Sequence, residues 1–134
     1  MAGFEKFILC IDDDEEDAIW IEEAISQVDP MLDVFVKQNG KEAIEFLNKL
    51  KANNYLPCLI LLDVNMPLMN GKETLILIKN DEQLKNIPIV IFSTSNSKAD
   101  QYFFEKHGTD FFTKPSNFEE LKRKIHQVVT ARCA

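Results

Sequence analysis

The sequence predicts an α/β protein: a doubly wound, five-stranded parallel sheet with helices on both faces. Three observations predict it. Short continuous apolar runs such as Phe7-Ile8-Leu9-Cys10-Ile11 suit strands buried on both faces. Between those runs lie stretches whose apolar residues recur every three or four positions, the mark of amphipathic helices. The two patterns alternate five times within 134 residues, a length that suits one domain and rules out two independent cores. Strand–helix–strand units of this kind close with right-handed crossovers.

Taken in order, Phe7–Ile11 reads as the first strand. A helix follows from about Glu15 to Val28, with Ala18, Ile21, Ala24, Ile25 and Val28 on one face, and Asp29-Pro30 ends it. Val34-Phe35-Val36 is the second strand. Asn39-Gly40 opens a helix carrying Ala43, Ile44, Leu47 and Leu50, closing near Asn53-Asn54. Leu59–Leu62 is the third strand, and Asn70-Gly71 opens the third helix, with Leu75 and Ile78 inside. The repeated Asn-Gly-Lys-Glu at these two helix starts points to shared capping and turn chemistry. Pro88 precedes the fourth strand, Ile89–Phe92. A helix from about Lys98 to His107 is ended by Gly108, which can supply a left-handed cap. Phe111-Phe112-Thr113 is the fifth strand, and Phe118, Leu121, Ile125, Val128 and Val129 mark the last helix. Tyr102, Phe103 and Phe104 span about 200° of the fourth helix, so at least one ring must leave the core.

Hydrophobic residues make up 46% and charged ones 28%, a globular rather than disordered composition. Acids outnumber bases 22 to 15, which argues against a nucleic-acid surface, since phosphate binding needs a basic stripe. The longest apolar runs are about five residues, far short of a membrane span, and no secretory signal precedes Phe7. Cys10, Cys58 and Cys133 have no metal-type spacing. Cys10 and Cys58 lie in apolar runs and read as small buried hydrophobes, and all three read as reduced cytosolic thiols.

In open α/β sheets, ligands bind beyond the carboxyl ends of the strands. Asp12-Asp13-Asp14-Glu15-Glu16-Asp17 follows the first strand. Asp14 to Asp17 read mainly as helix-capping and dipole-favoured acids. Asp12 and Asp13 fit that role less well: adjacent carboxylates at the mouth of a buried sheet repel, and a hard divalent cation relieves the repulsion. Asp63 follows the third strand and is expected beside that pair, if the first and third strands flank a switch point. Ser93-Thr94-Ser95 follows the fourth strand, as backbone caps or as hydroxyl donors. Lys114 follows the fifth, and Pro115 restricts it to an extended backbone. A cation site, a carboxylate nucleophile, a hydroxyl and an ammonium together suit a transferred phosphoryl group.

At these residues the chain resembles the receiver domain of two-component response regulators. The matching pieces are Ile11-Asp12-Asp13, Leu62-Asp63-Val64-Asn65-Met66-Pro67 with Asn70-Gly71 behind it, Ile91-Phe92-Ser93-Thr94, and Thr113-Lys114-Pro115. The resemblance implies a flavodoxin-like sandwich with strand order 2-1-3-4-5, one receiver domain over residues 1–134 with its core at about 7–129, and no output domain. It implies phosphorylation of Asp63 by a phosphohistidine on a histidine kinase or phosphotransfer protein. Mg²⁺ would be held directly by Asp13 and Asp63, with Asp12 acting largely through water and the carbonyl of Asn65 as a further ligand. Ser93 and Lys114 would contact phosphoryl oxygens, and backbone N–H groups near Val64 and Thr94 would complete the cradle. Ser93 and Phe111 would form the switch; Phe is an accepted aromatic at that position but lacks a tyrosine hydroxyl, and the competing reading of Phe111 is plain sheet core. The fourth helix, fifth strand and fifth helix would present the output surface to an unknown protein target or to a second copy. The implied protein is a cytoplasmic phosphoacceptor that catalyses its own phosphotransfer and loses the group slowly, rather than an enzyme. The long run Asn80–Pro88, with Ser93-Thr94-Ser95, resembles single-domain receivers of the phytochrome-associated kind.

Two other readings compete. Aspartate-nucleophile phosphatases place a general acid two residues after the nucleophile, but Asn65 stands there and cannot protonate a leaving group. A flavodoxin-like cofactor carrier fits poorly, since no glycine-rich phosphate loop is present.

Overall fold

The structure, a computed structural model, describes residues 6–133. Its strands are β1 (Phe7–Ile11), β2 (Asp33–Lys37), β3 (Leu59–Leu62), β4 (Ile89–Ser93) and β5 (Asp110–Thr113). Its helices are α1 (Glu15–Val28), α2 (Gly40–Lys51), α3 (Gly71–Lys79), α4 (Lys98–Lys106) and α5 (Phe118–Arg132). Every expected element is present. β2 outruns the expected Val34–Val36 because it pairs residue for residue with all of β1, from Phe7 opposite Asp33 to Ile11 opposite Lys37. β4 and β5 each gain a residue for the same reason, Ser93 lying opposite Thr113 and Val90 opposite Asp110.

The sheet is parallel throughout, in the order β2-β1-β3-β4-β5. From β1 the chain goes outward to β2, then returns past β1 to β3. The strand order reverses there, so a crevice opens at the carboxyl ends of β1 and β3. Ile11 pairs with Leu62, which sets Asp12 and Asp63 side by side at the mouth.

Side chains of each strand alternate between two cores. Ile8, Cys10, Leu59, Leu61, Val90 and Phe92 meet Ile21, Ala24 and Ile25 of α1 and Leu121, Ile125 and Val128 of α5. Leu9, Ile11, Ile60, Leu62, Ile89 and Ile91 meet Ala43 and Leu47 of α2, Leu75 and Ile78 of α3, and Phe104 of α4. The central strands β1, β3 and β4 are buried along their whole length, whereas β2 and β5, at the edges, are half-exposed. On α4, Phe104 is buried, Phe103 half-buried and Tyr102 68% exposed, so the expected outward ring is Tyr102.

The Asn-Gly helix starts cap as expected. Asn39 accepts from the Glu42 N–H at 2.9 Å, and Asn70 and Glu73 form a reciprocal capping box. The glycines answer a different need, close approach. A Cβ on Gly71 would sit 2.3 Å from the Asp63 carbonyl oxygen and 2.9 Å from Val64 Cα; one on Gly40 would collide with Thr74 of α3. Gly71 thus lets α3 start against the backbone of the Asp63 loop, held by its N–H donating to the Val64 carbonyl at 2.8 Å. Gly108, with φ +70°, is the left-handed terminator after α4.

The cysteines require a correction. Cys58, just before β3, and Cys133, the cap of α5, are joined in a disulfide with Cα atoms 5.5 Å apart. They are therefore not reduced thiols. α5 runs back over the sheet until its end meets the edge where the strands begin, and the Lys6 ammonium donates to the Cys133 carbonyl there at 3.2 Å. Cys10 remains as expected, a buried free thiol whose pKa is pushed up, chiefly by burial and secondarily by Asp12.

Two stability predictions follow from these contacts. The disulfide closes a 75-residue separation, so Cys58→Ser is expected to lower stability by about 2–4 kcal/mol. Urea unfolding should show the variant and the reduced wild type sharing a lower midpoint than the oxidised wild type; coincidence of all three would contradict it. Gly71→Ala is expected to cost about 1–3 kcal/mol by overpacking against rigid backbone, whereas Ala at Gly108 meets open space and costs only its left-handed conformation. A Gly71→Ala midpoint equal to wild type would show that α3 can move away.

Candidate functional site

Asp12 leaves β1 with its N–H donating to the Lys37 carbonyl at 2.9 Å, which fixes the backbone on the β2 side. Its side chain is 2% exposed. Oδ1 accepts from the Asp14 N–H at 3.0 Å and Oδ2 meets Lys114 Nζ at 2.7 Å. Burial is the largest influence on this carboxyl, and the nearby Asp63 adds to it; Lys114 and the Asp14 N–H oppose them. The result is a pKa pushed up to about 6. Asp63 leaves β3 with its N–H donating to the Ile11 carbonyl at 3.0 Å, and it too is buried. Its Oδ1 accepts from the Val64 N–H at 2.8 Å, and its Oδ2 lies 3.5 Å from Lys114 Nζ. Asp13 points outward beside them. One carboxylate oxygen from each of Asp12, Asp13 and Asp63 falls within 4.8 Å of the others.

Lys114 immediately follows β5. Its N–H donates to the Ser93 carbonyl at 2.8 Å, so the β4–β5 pairing continues one residue past the strands and aims the side chain back across their ends. The ammonium is nearly enclosed, and burial, the strongest single influence, disfavours its charge. Hydrogen bonds to Asp12 and Asp17, with the charge of Asp63, outweigh that and hold the pKa above the usual lysine value.

Ser93 is fully buried at the end of β4, and its Oγ accepts from the Ser95 N–H at 3.1 Å. Thr94 and Asn65 are exposed in the loops after β4 and β3. Phe111 is half-buried on the α4 side, opposite Ile91 in the β4–β5 pairing, with its ring 6.0 Å from that of Phe104. The site residues expected from the strand ends thus converge from four strands on one end of the sheet.

Two features escaped the strand-end reading. Asp17 was expected only to favour the helix dipole, yet its Oδ2 accepts from Lys114 Nζ at 2.8 Å. Capping falls to Asp14 alone, whose side chain accepts from the Asp17 N–H at 3.1 Å. The second is a tie across the β4–α4 loop: Asp100 of α4 accepts from Ser95 Oγ at 2.7 Å and meets Lys72 of α3 at 2.7 Å. Lys72 first, and Ser95 second, hold the Asp100 carboxyl below its usual value. The available signal for Asp17 was its place one helical turn beyond Asp13 and Asp14, facing the same mouth.

The donor set fits a hard divalent cation. Asp12, Asp13 and Asp63 converge on one side, and the single ammonium near them is shared with Asp17, so carboxylates outnumber it; oxygen ligands of this kind suit Mg²⁺ or Mn²⁺. None of the described helices is long and apolar enough to cross a membrane.

The family model described as the response regulator receiver domain matches residues 8–126. Response regulator Rcp1 of Synechocystis is 30% identical over 126 residues, covering 92% of this chain and 86% of that protein. A probable methanogenesis regulatory protein, FilR2, of Methanothrix harundinacea is 31% identical over 123 residues, 90% of this chain and 79% of that one. Among solved structures, a phosphorylated cyanobacterial phytochrome response regulator, RcpA, superposes with a TM-score of 0.88 at 30% identity, covering 98% of this chain and 96% of that one. The Mn²⁺-bound form of Rcp1 superposes with a TM-score of 0.80 at 29% identity, covering 93% and 92%. Taken with five parallel strands in the order 2-1-3-4-5 and an acid cluster at their carboxyl ends, these matches place the chain in the response regulator receiver-domain family of two-component systems.

Proposed function

We propose that this receiver domain is a phosphoacceptor that takes a phosphoryl group on Asp63 from a phosphohistidine of a histidine kinase or histidine phosphotransfer protein. The observation that carries the reading is the setting of Asp63: a buried carboxylate with one oxygen held by the Val64 N–H at 2.8 Å and the other facing the Lys114 ammonium, beside Asp12 and Asp13. A carboxylate so oriented can act as nucleophile. An Asp63 oxygen forms a bond to phosphorus as the bond from phosphorus to the imidazole nitrogen breaks. That nitrogen keeps the electron pair, and the ring takes a proton from solvent. The acyl phosphate is later lost to water. The chain thus supplies the acceptor for the transfer and is not itself an enzyme acting on a separate substrate.

Asp13 and Asp63 would hold Mg²⁺, with Asp12 and the Asn65 carbonyl completing the set. When bound, the ion neutralises charge on the phosphoryl oxygens. Lys114 supplies a second positive charge, and Ser93 Oγ a hydroxyl donor at the end of the adjacent strand. The Val64 and Thr94 N–H groups lie in the loops that border the site. Drawing Ser93 toward a phosphoryl oxygen would empty space beside β4 that Phe111 can enter, which biases the surface of α4, β5 and α5 between two arrangements. Tyr102, exposed on that surface, is where a protein target or a second copy would meet the change. The reading places the protein in the cytoplasm, without nucleic-acid or membrane contact. There the Cys58–Cys133 bond would be unusual, since cytosolic thiols are generally kept reduced.

Acetyl phosphate with Mg²⁺ is expected to add one phosphoryl group to the wild type and none to Asp63→Asn, read by intact-protein mass. Equal labelling of the two would remove Asp63 from its role. Lys114→Ala is expected to keep Mg²⁺ binding while losing most of the change that phosphorylation produces in amide NMR shifts across α4, β5 and α5. Unaltered shifts in that variant would remove Lys114 from the mechanism.

A further inference from the structure

Lys114 has three N–H donors and three carboxylates within reach, and they are unequally served. Asp12 is at 2.7 Å, Asp17 at 2.8 Å and Asp63 at 3.5 Å. The shortest contacts are with the two acids that would not carry the phosphoryl group.

The local structure of α1 explains why Asp17 is available. In a capping box the acid at the third helical position folds back to the N–H of the cap residue. α3 does this, Glu73 accepting from the Asn70 N–H at 3.0 Å. In α1 the cap residue is Asp14, and its N–H is already taken by Asp12 Oδ1. Asp17 keeps its own N–H on Asp14 and turns its carboxylate across to β5. The contact is partly sheltered: the Asp17 side chain is 37% exposed against 9% for Lys114, and Trp20, Ile21, Pro115 and Leu121 surround the pair.

We propose that Asp17 is a positioning residue that holds Lys114 away from Asp63 in the unphosphorylated protein, so that closing the 3.5 Å gap toward a group on Asp63 works against its bond to Asp17. The inference rests on the phosphoacceptor reading and adds a competing partner to it. Asp17 sets the balance between a resting Lys114 and an engaged one. Removing its charge frees the ammonium for the phosphoryl site, and a residue with a merely structural role would instead weaken binding there when removed.

The test is the affinity for beryllofluoride, a phosphoryl mimic, at saturating Mg²⁺, followed by the ¹⁹F signal of the bound species. Asp17→Asn keeps the backbone donor to Asp14 and so retains the helix start. It is expected to bind about threefold to tenfold more tightly than wild type, the range for one charge-assisted hydrogen bond discounted for partial exposure. Asp17→Glu, which keeps a carboxylate, is expected to stay within about twofold of wild type. So is Glu16→Gln, which removes the same charge from an exposed neighbour in the same turn. Equal or weaker binding by Asp17→Asn overturns the proposal, and so does an equal gain in Glu16→Gln, which would assign the effect to net charge. Failure of the wild type to bind the mimic at all would instead overturn the phosphoacceptor reading.

Discussion

One buried ammonium sits among more carboxylates than it can neutralise, and the site is organised around that imbalance. Lys114 meets Asp12 and Asp17 closely and Asp63 at longer range, while Asp13 stands beside them with no ion pair among the described residues. Buried charges persist only where partners and hydrogen bonds offset the loss of water. Lys114 has those partners and stays charged; Asp12, with burial against it, has a carboxyl displaced far above its ordinary range. The remaining negative charge is of the kind a hard divalent cation offsets. The geometry that enforces this is the sheet itself. Backbone pairing of β1 with β3 sets Asp12 beside Asp63, and the N–H of Lys114 on the Ser93 carbonyl carries the ammonium across to them.

The loop after β4 joins this charged cluster to a helix. Ser93 is sealed at the strand end, Ser95 donates to Asp100, and Asp100 is paired with Lys72, whose ammonium also lies 5.3 Å from the Phe103 ring centroid. α3 and α4 are thereby fastened to the segment that follows the buried hydroxyl. Phe104 and Phe111 extend the contact into the apolar layer beneath. A displacement of the Ser93 loop therefore cannot stay local, because its next neighbours are the start of α4 and the rings that seat that helix.

Much of this was legible because backbone pairing and burial leave simple marks. Five apolar runs separated by helical periodicity specify a parallel sheet, and the rule that ligands gather at strand ends leads directly to Asp12, Asp13, Asp63, Ser93 and Lys114. Other features left no such mark. Asp17 sits where acids are favoured for reasons of helix polarity, so its role emerges only once Asp12 is seen to occupy the Asp14 N–H. Gly71 resembles a turn glycine, whereas its requirement is the 2.3 Å approach a Cβ would make to the Asp63 carbonyl oxygen. Cys58 and Cys133, separated by 75 residues, meet only because α5 ends where β3 begins. Phe111 is half-buried against Phe104, a position that suits both a core ring and a ring able to shift.

The two ends of the sheet are secured by different means, and α5 is held by both. At the carboxyl end the contacts are ionic and exchangeable. At the other end Cys133 is bonded to Cys58, which immediately precedes β3, the strand that leads to Asp63 about 16 Å away at the rise of an extended chain. α5 also packs along α1 through Leu121, Ile125 and Val128. A helix tied covalently at its last turn can pivot more readily than it can slide. At its first turn Phe118 meets Trp20 of α1 edge-on and Pro115 follows Lys114. Lys114 is thus joined to α5 through Pro115 at the end of the helix remote from the disulfide, where side-chain packing alone holds it to α1.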